Sequence, residues 1–146
     1  FINELRNIGR PVVLVFFGDH QPSIAAALND ELYPQEDTAS HAFRIHQSTY
    51  FVWANYEIAG NTELNVYDTV GANEIAAIAL NKIGAPLTDY QKALLATRSD
   101  VPTINVAGYL GADGLRYDLE SEDSPYTSTI DKLRRVQYLE FATKVQ

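Results

Sequence analysis

The chain has 146 residues, 46% of them hydrophobic and 21% charged, proportions that suit one compact domain or a large piece of one and argue against disorder. Its formal charge of −8 and pI near 4.7 repel polyphosphate backbones, and no basic run interleaved with aromatics offsets that field, so nucleic acid is not an expected partner. Cysteine is absent, which excludes disulfides, thiolate chemistry and Cys-ligated zinc, and no apolar stretch approaches the roughly 20 residues of a membrane-spanning helix.

The chain itself is therefore expected to be soluble. Methionine is missing, even at position 1, and the sequence is read as a fragment of a longer protein. No signal peptide opens it.

Residues 1–10, "FINELRNIGR", carry Ile2, Leu5 and Ile8 on one helical face with Gly9 as a stop signal. Val12 to Phe17 then form a continuous apolar run rich in β-branched and aromatic residues, the pattern of a strand covered on both faces in a mostly parallel sheet. Pro22 and Ser23 open a short helix through Leu28 to Leu32, because proline costs nothing in a first helical turn. "YPQEDTAS" (33–40) reads as a polar loop, 48–54 as a second strand, and 55–68 as an irregular connection punctuated by Gly60 and asparagines.

From about Thr69 a helix is expected with Ile75, Ile78, Ala79 and Ile83 on one stripe, ending at Gly84 to Pro86. Thr88-x-x-Gln91 matches a capping box ahead of a helix bearing Leu94 and Leu95. Residues 103–120 have the pattern of a β-hairpin with Asp113-Gly114 at the turn and Tyr109 and Tyr117 in the arms. A final helix carries Ile130, Leu133, Val136 and Tyr138, followed by Leu139 and Phe141. No internal repeat, low-complexity tract or domain linker interrupts the chain.

The strand at 12–17 runs straight into Gly18-Asp19-His20. In open α/β sheets ligands bind at the carboxyl ends of strands, and a hard carboxylate oxygen beside an imidazole nitrogen suits a divalent ion, with Gly18 letting the backbone approach closely. The plainer reading has Asp19 capping the following turn and His20 as a hydrogen-bonded surface residue. Either way, two ligands do not complete a metal site.

His41 and His46 are five residues apart, a spacing that puts them on neither one helix face nor one strand face; they read as partly exposed histidines. Tyr50, Trp53 and Tyr56 fit either a core or the lining of a sugar or glycerol site. Glu120, Glu122 and Asp123 read as a solvated loop rather than a calcium site, since the regular spacing of oxygen ligands is missing. No G-x-S-x-G or phosphate-cradling glycine loop is present.

With these residues in place, the chain resembles the carboxyl-terminal part of the lipoteichoic acid synthase and phosphoglycerol transferase family, within the alkaline phosphatase and sulfatase superfamily. The resemblance rests on "VVLVFFGDHQPS", "STYFVWANYEIAG", "GANEIAAIALNKIGAPLTDYQKALL" and "VPTINVAGYLGADG", which cover most of residues 11–118 in order. It implies an α/β fold, the C-terminal part of an alkaline-phosphatase-like sandwich. A mostly parallel central sheet would be flanked by helices, with a C-terminal β-hairpin and helix. It also implies that Asp19 and His20 are two ligands of a catalytic divalent metal, commonly manganese, with zinc or magnesium as alternatives.

The family's threonine nucleophile, a further acidic ligand and a substrate-binding histidine lie upstream of this strand, so the resemblance places none of them here. Thr38, Thr49 and Thr69 do not sit in the nucleophile's context. Many family members follow Gly-Asp-His with an aromatic and a glycine, whereas this chain has Gln21-Pro22-Ser23.

The resemblance implies a transferase on the extracellular face of a bacterial membrane, anchored by upstream helices. It would act on a phospholipid head group, with a glycerophosphate or glycan polymer as acceptor, in two steps through the threonine. The fragment would supply half of the metal site and have no turnover alone. The alternatives are a sulfatase or phosphodiesterase using water, and a non-catalytic binding domain that kept the fold.

Overall fold

A computed structural model describes residues 1–58 and 69–142. The chain is mixed α/β and divides into two compact units, residues 1–64 and 65–146. No helix among the described residues is long and apolar enough to cross a membrane.

In the first unit, helix α1 (Ile2–Arg6) ends at Asn7, two residues before Gly9. Strand β1 (Val13–Phe17) pairs antiparallel with β2 (Tyr50–Ala54), from Val13 opposite Ala54 to Phe17 opposite Tyr50. Phe16 and Phe51 face each other in this register and stack with ring centroids 5.1 Å apart, the cross-strand aromatic pairing that stabilises a two-stranded ribbon. Asn55, just past β2, accepts the Val12 N–H at 2.8 Å and donates to the Arg10 carbonyl at 2.9 Å, tying the entry of β1 to the exit of β2.

A 3₁₀ turn (Ser23–Ala25) leads into α2 (Ala26–Leu32), where the Pro22 signal places it. Helix α3 (Thr38–Ile45) begins inside the stretch read as a polar loop: Asp37 is its N-cap and accepts the Ser40 N–H at 2.9 Å. An aspartate three residues before a serine accepts one orphan N–H of the first turn, so the polar composition that resembles a loop is a helix start.

The mostly parallel sheet expected from the apolar run is not found among the described residues, whose two sheets are both small and antiparallel. Phe16 and Phe17 are exposed, and Ile24 is 93% exposed, so the unit's apolar surface is only partly covered. A continuous apolar run reports a strand with two burial-competent faces, which is commonest in parallel sheets but does not fix the direction of its partner, and here the described partner, β2, is antiparallel.

In the second unit, a 3₁₀ turn (Ala72–Glu74) opens α4 (Ile75–Lys82), whose Ile75, Ala77 and Ala79 are buried. The chain leaves α4 through Gly84 at φ +68°, the left-handed conformation that favours glycine after a helix. Helix α5 (Asp89–Thr97) carries the capping box anticipated at Thr88: Gln91 N–H donates to Thr88 Oγ1 at 3.2 Å, and Thr88 N–H to Gln91 Oε1 at 3.0 Å.

The expected hairpin is a three-stranded antiparallel meander, β3 (Thr103–Asn105), β4 (Gly108–Leu110) and β5 (Arg116–Tyr117). Tyr109 lies opposite Tyr117, with Gly114 in the connecting turn at φ +79°. Helix α6 (Thr127–Ala142) packs against α5 and buries Ile130 and Leu133, while Tyr138, Leu139 and Phe141 remain exposed. Val101, Tyr109 and Ile130 form the core of this unit, covered by Ile104, Tyr117, Leu119 and Tyr126. Most of the irregular connection expected over 55–68 lies outside the described residues.

Candidate metal-ligand turn

The β1–β2 ladder runs one step past β1, where Gly18 N–H donates to the Thr49 carbonyl at 3.0 Å. A Cβ on Gly18 would overlap Ser48 Oγ, so glycine lets the turn lie flat against 48–49 with the Ser48 side chain as it stands. The chain then leaves the strand, and Asp19 and His20 stand at its carboxyl end with side chains 84% and 74% exposed.

Their orientation is defined locally. His20 N–H donates to Asp19 Oδ1 at 2.9 Å, which turns Oδ2 toward the imidazole. Asp19 Oδ2 lies 3.5 Å from His20 Nε2, close to the separation of about 3.4 Å between two ligands of one tetrahedral divalent ion with bonds of about 2.1 Å. The pair therefore fits two positions of such an ion. Among the described residues no group of three or more His, Asp or Glu side chains is placed to hold one. Of the plainer reading, His20 is a hydrogen-bonded surface residue as expected, whereas Asp19 accepts from the adjacent His20 N–H and the 3₁₀ turn that follows at Ser23–Ala25 carries no side-chain cap.

His20, Gln21 and Pro22 form one wall of an open depression of about 470 Å³, and Gln47, Ser48 and Thr49 form the other. Gln47 and Ser48 were not singled out by the sequence: they are polar residues before a strand, and only the β1–β2 register brings them opposite His20. The Gln21 side chain is only half exposed. It donates to the Arg44 carbonyl at 2.7 Å and accepts from Asn29 Nδ2 at 2.9 Å, joining the turn to α3 and α2.

Arg44 organises the wall behind this turn. Its Nε donates to Glu36 Oε2 at 2.7 Å, a terminal nitrogen donates to Asp30 Oδ1 at 2.8 Å, and the guanidinium lies 4.9 Å from the Tyr33 ring centre. The Arg44 hydrogen bond holds the Asp30 carboxyl below its ordinary range, and His41, 3.2 Å away, adds to the effect.

His41 is thus partnered by Asp30, while His46 donates through Nδ1 to the Ala42 carbonyl at 2.8 Å. Neither lines the depression. Tyr50 and Trp53 are half-buried in β2 and Tyr56 is exposed beyond it. In the second unit Glu120, Glu122 and Asp123 are exposed, and Glu120 pairs with Arg134 at 2.7 Å. Comparisons of the chain with protein-family models, with curated proteins and with solved structures found no match.

Proposed function

We propose that this chain is the C-terminal portion of a metal-dependent phosphoglycerol transferase of the lipoteichoic acid synthase type, to which Asp19 and His20 contribute two metal ligands. The observation that carries the reading is the 3.5 Å approach of Asp19 Oδ2 to His20 Nε2 at the carboxyl end of β1. The motif resemblance over residues 11–118 supplies the reaction class. A divalent ion held there supplies positive charge to a transferring phosphoryl group.

The chain's own residues have simpler tasks. Asp19 and His20 offer one anionic oxygen and one neutral nitrogen. Gly18 keeps the backbone close to residues 48–49, and Gln47, Ser48 and Thr49 present polar groups across the depression. In this reading β1 and β2 belong to a larger, mostly parallel sheet of alkaline-phosphatase type. The exposed Phe16, Phe17, Ile24, Leu28 and Leu32 support that extension, because apolar residues of this density are ordinarily covered.

The test is Mn²⁺ binding followed by paramagnetic broadening in NMR spectra of the chain, together with turnover of a phosphoglycerol-bearing phospholipid by the protein that contains it. Broadening centred on residues 18–21, lost in Asp19→Ala and His20→Ala, and turnover abolished by Asp19→Ala are expected. Turnover that survives Asp19→Ala overturns the reading. Absence of both Mn²⁺ binding and turnover favours a non-catalytic binding domain.

A further inference from the structure

The geometry points to Gln21 as a positioning residue that holds His20 in a single tautomer, with the proton on Nδ1 and the Nε2 lone pair left free on the side where Asp19 lies. His20 Nδ1 lies 2.8 Å from the Gln21 carbonyl oxygen. A carbonyl can only accept, so Nδ1 carries the hydrogen, and a neutral imidazole has only one N–H to give. Nε2 is then bare, 3.5 Å from Asp19 Oδ2. The use of this lone pair rests on the metal reading above, whereas the tautomer rests on the 2.8 Å Gln21 carbonyl contact outweighing the longer 3.5 Å approach of Asp19 Oδ2, which favours a proton on Nε2.

Two features hold the Gln21 carbonyl in place. Pro22 follows it, and a residue before proline is confined to extended conformations, which limits the directions the Gln21 C=O can take. The Gln21 side chain is bonded at both ends, donating to the Arg44 carbonyl at 2.7 Å and accepting from Asn29 at 2.9 Å. Arg44 is in turn tied to Glu36 and Asp30. The orientation of an exposed imidazole is therefore set through a half-buried glutamine by two helices. Metal-ligating histidines characteristically donate their second ring nitrogen to a carbonyl or carboxylate in this way, which orients the ring and raises the basicity of the ligating nitrogen.

The experiment is ¹⁵N NMR of the His20 ring in the 146-residue chain at about pH 8, above the ordinary imidazole range, for the native chain, Gln21→Ala and Asn29→Ala. Mn²⁺ or Zn²⁺ titrations accompany each spectrum. The native chain is expected to show the Nδ1–H tautomer. Gln21→Ala is expected to mix it with Nε2–H and, where metal binds, to lower affinity by about 10–100-fold, the range for losing a partner behind a metal ligand.

Asn29→Ala removes one of the two bonds to the Gln21 side chain and gives a smaller shift in the same direction. It decides the matter if Gln21→Ala loosens the unit. An Nε2–H tautomer in the native chain overturns the proposal, and so does an Nδ1–H population unchanged by both substitutions. A tautomer that responds to Gln21 in a chain that binds neither metal leaves this inference standing and removes the metal reading instead.

Discussion

The Tyr117 hydroxyl donates to Asp113 Oδ2 at 2.7 Å, closing the β4–β5 turn. That hydrogen bond, with desolvation and the Asp113 charge behind it, pushes the phenol up to about 12 from an ordinary 10.0. Asp113 moves the other way, held below 3.8 first by Tyr117 and then by the Leu115 N–H. A raised tyrosine pKa contributes stability that is complete below about pH 10 and is lost as the pH climbs toward 12; the lowered Asp113 contributes above pH 3.8 and loses its contribution as the pH falls through its folded value. Tyrosinate absorbance should therefore show one phenol that titrates late, absent in Tyr117→Phe and returned toward the ordinary range in Asp113→Asn. Superimposable titration curves for the native chain and Tyr117→Phe would speak against the pairing.

Glu74 is fully buried at the start of α4, where its Oε2 accepts from Arg98 at 2.5 Å and from Gly71 N–H at 3.0 Å. Arg98 also donates to the Pro102 carbonyl at 3.1 Å, so one cation joins the α4 turn to the approach of β3. Removing one partner of a buried ion pair strands the other charge, at a cost of about 3–5 kcal/mol. Arg98→Leu should lower the unfolding free energy of the second unit, measured by denaturant titration, by that order, and the double variant Glu74→Leu with Arg98→Leu should recover part of it. A loss below about 1 kcal/mol, the value typical of an exposed pair, would show that the carboxylate reaches water.

The reciprocal capping box at α5 predicts a smaller effect. Thr88→Ala removes the acceptor of the Gln91 N–H and should cost about 1 kcal/mol, with Thr88→Ser close to native. Chemical denaturation of the three proteins side by side measures it. Equal stabilities for the alanine and serine variants would deny the hydroxyl a role.

Gly18→Ala drives a methyl group into Ser48 Oγ. Ser48 is exposed and its hydroxyl can turn aside, so the cost should stay below the roughly 1–3 kcal/mol of core overpacking, and the amide resonances of Asp19 and His20 should shift. The double variant Gly18→Ala with Ser48→Gly frees the space and should restore both stability and spectrum. If the second substitution rescues neither, the close approach of 18 to 48 is not what makes glycine necessary there.

Arg44→Lys keeps the charge but loses the planar fork that serves Glu36 and Asp30 together and lies over Tyr33. Faster amide hydrogen exchange in α3 and an Asp30 carboxyl returned toward its ordinary range are expected. Exchange rates matching the native chain would mean that the helix draws nothing from these bonds.

Local signals were legible wherever one residue type satisfies a backbone need by itself. Thr88 with Gln91, Gly84 after α4, Pro22 before α2 and Gly114 in the β4–β5 turn each act within a few residues, so their effects can be read without knowing what packs against them. Helix α3 escaped because its start is written in polar residues that serve loops equally well, Asp37 and Ser40 among them. The Asp19–His20 pair was legible as two adjacent side chains at a strand end. Their mutual orientation was not, since it depends on the Asp19 Oδ1 bond to the His20 N–H and on the Gln21 carbonyl.

By itself, the sequence determined the positions of most helices and strands, the lack of any thiol chemistry, and the juxtaposition of a carboxylate and an imidazole after an apolar strand. These follow from short-range sterics, hydrogen-bond chemistry and hydrophobic periodicity. Only the tertiary structure decided that β1 runs antiparallel to β2, that Ser48 lies against Gly18, and that Asn29 and the Arg44 carbonyl hold Gln21. The physical reason is that strand direction and cross-element contacts depend on which distant segments meet, and apolar pattern specifies that a face be buried without specifying what buries it.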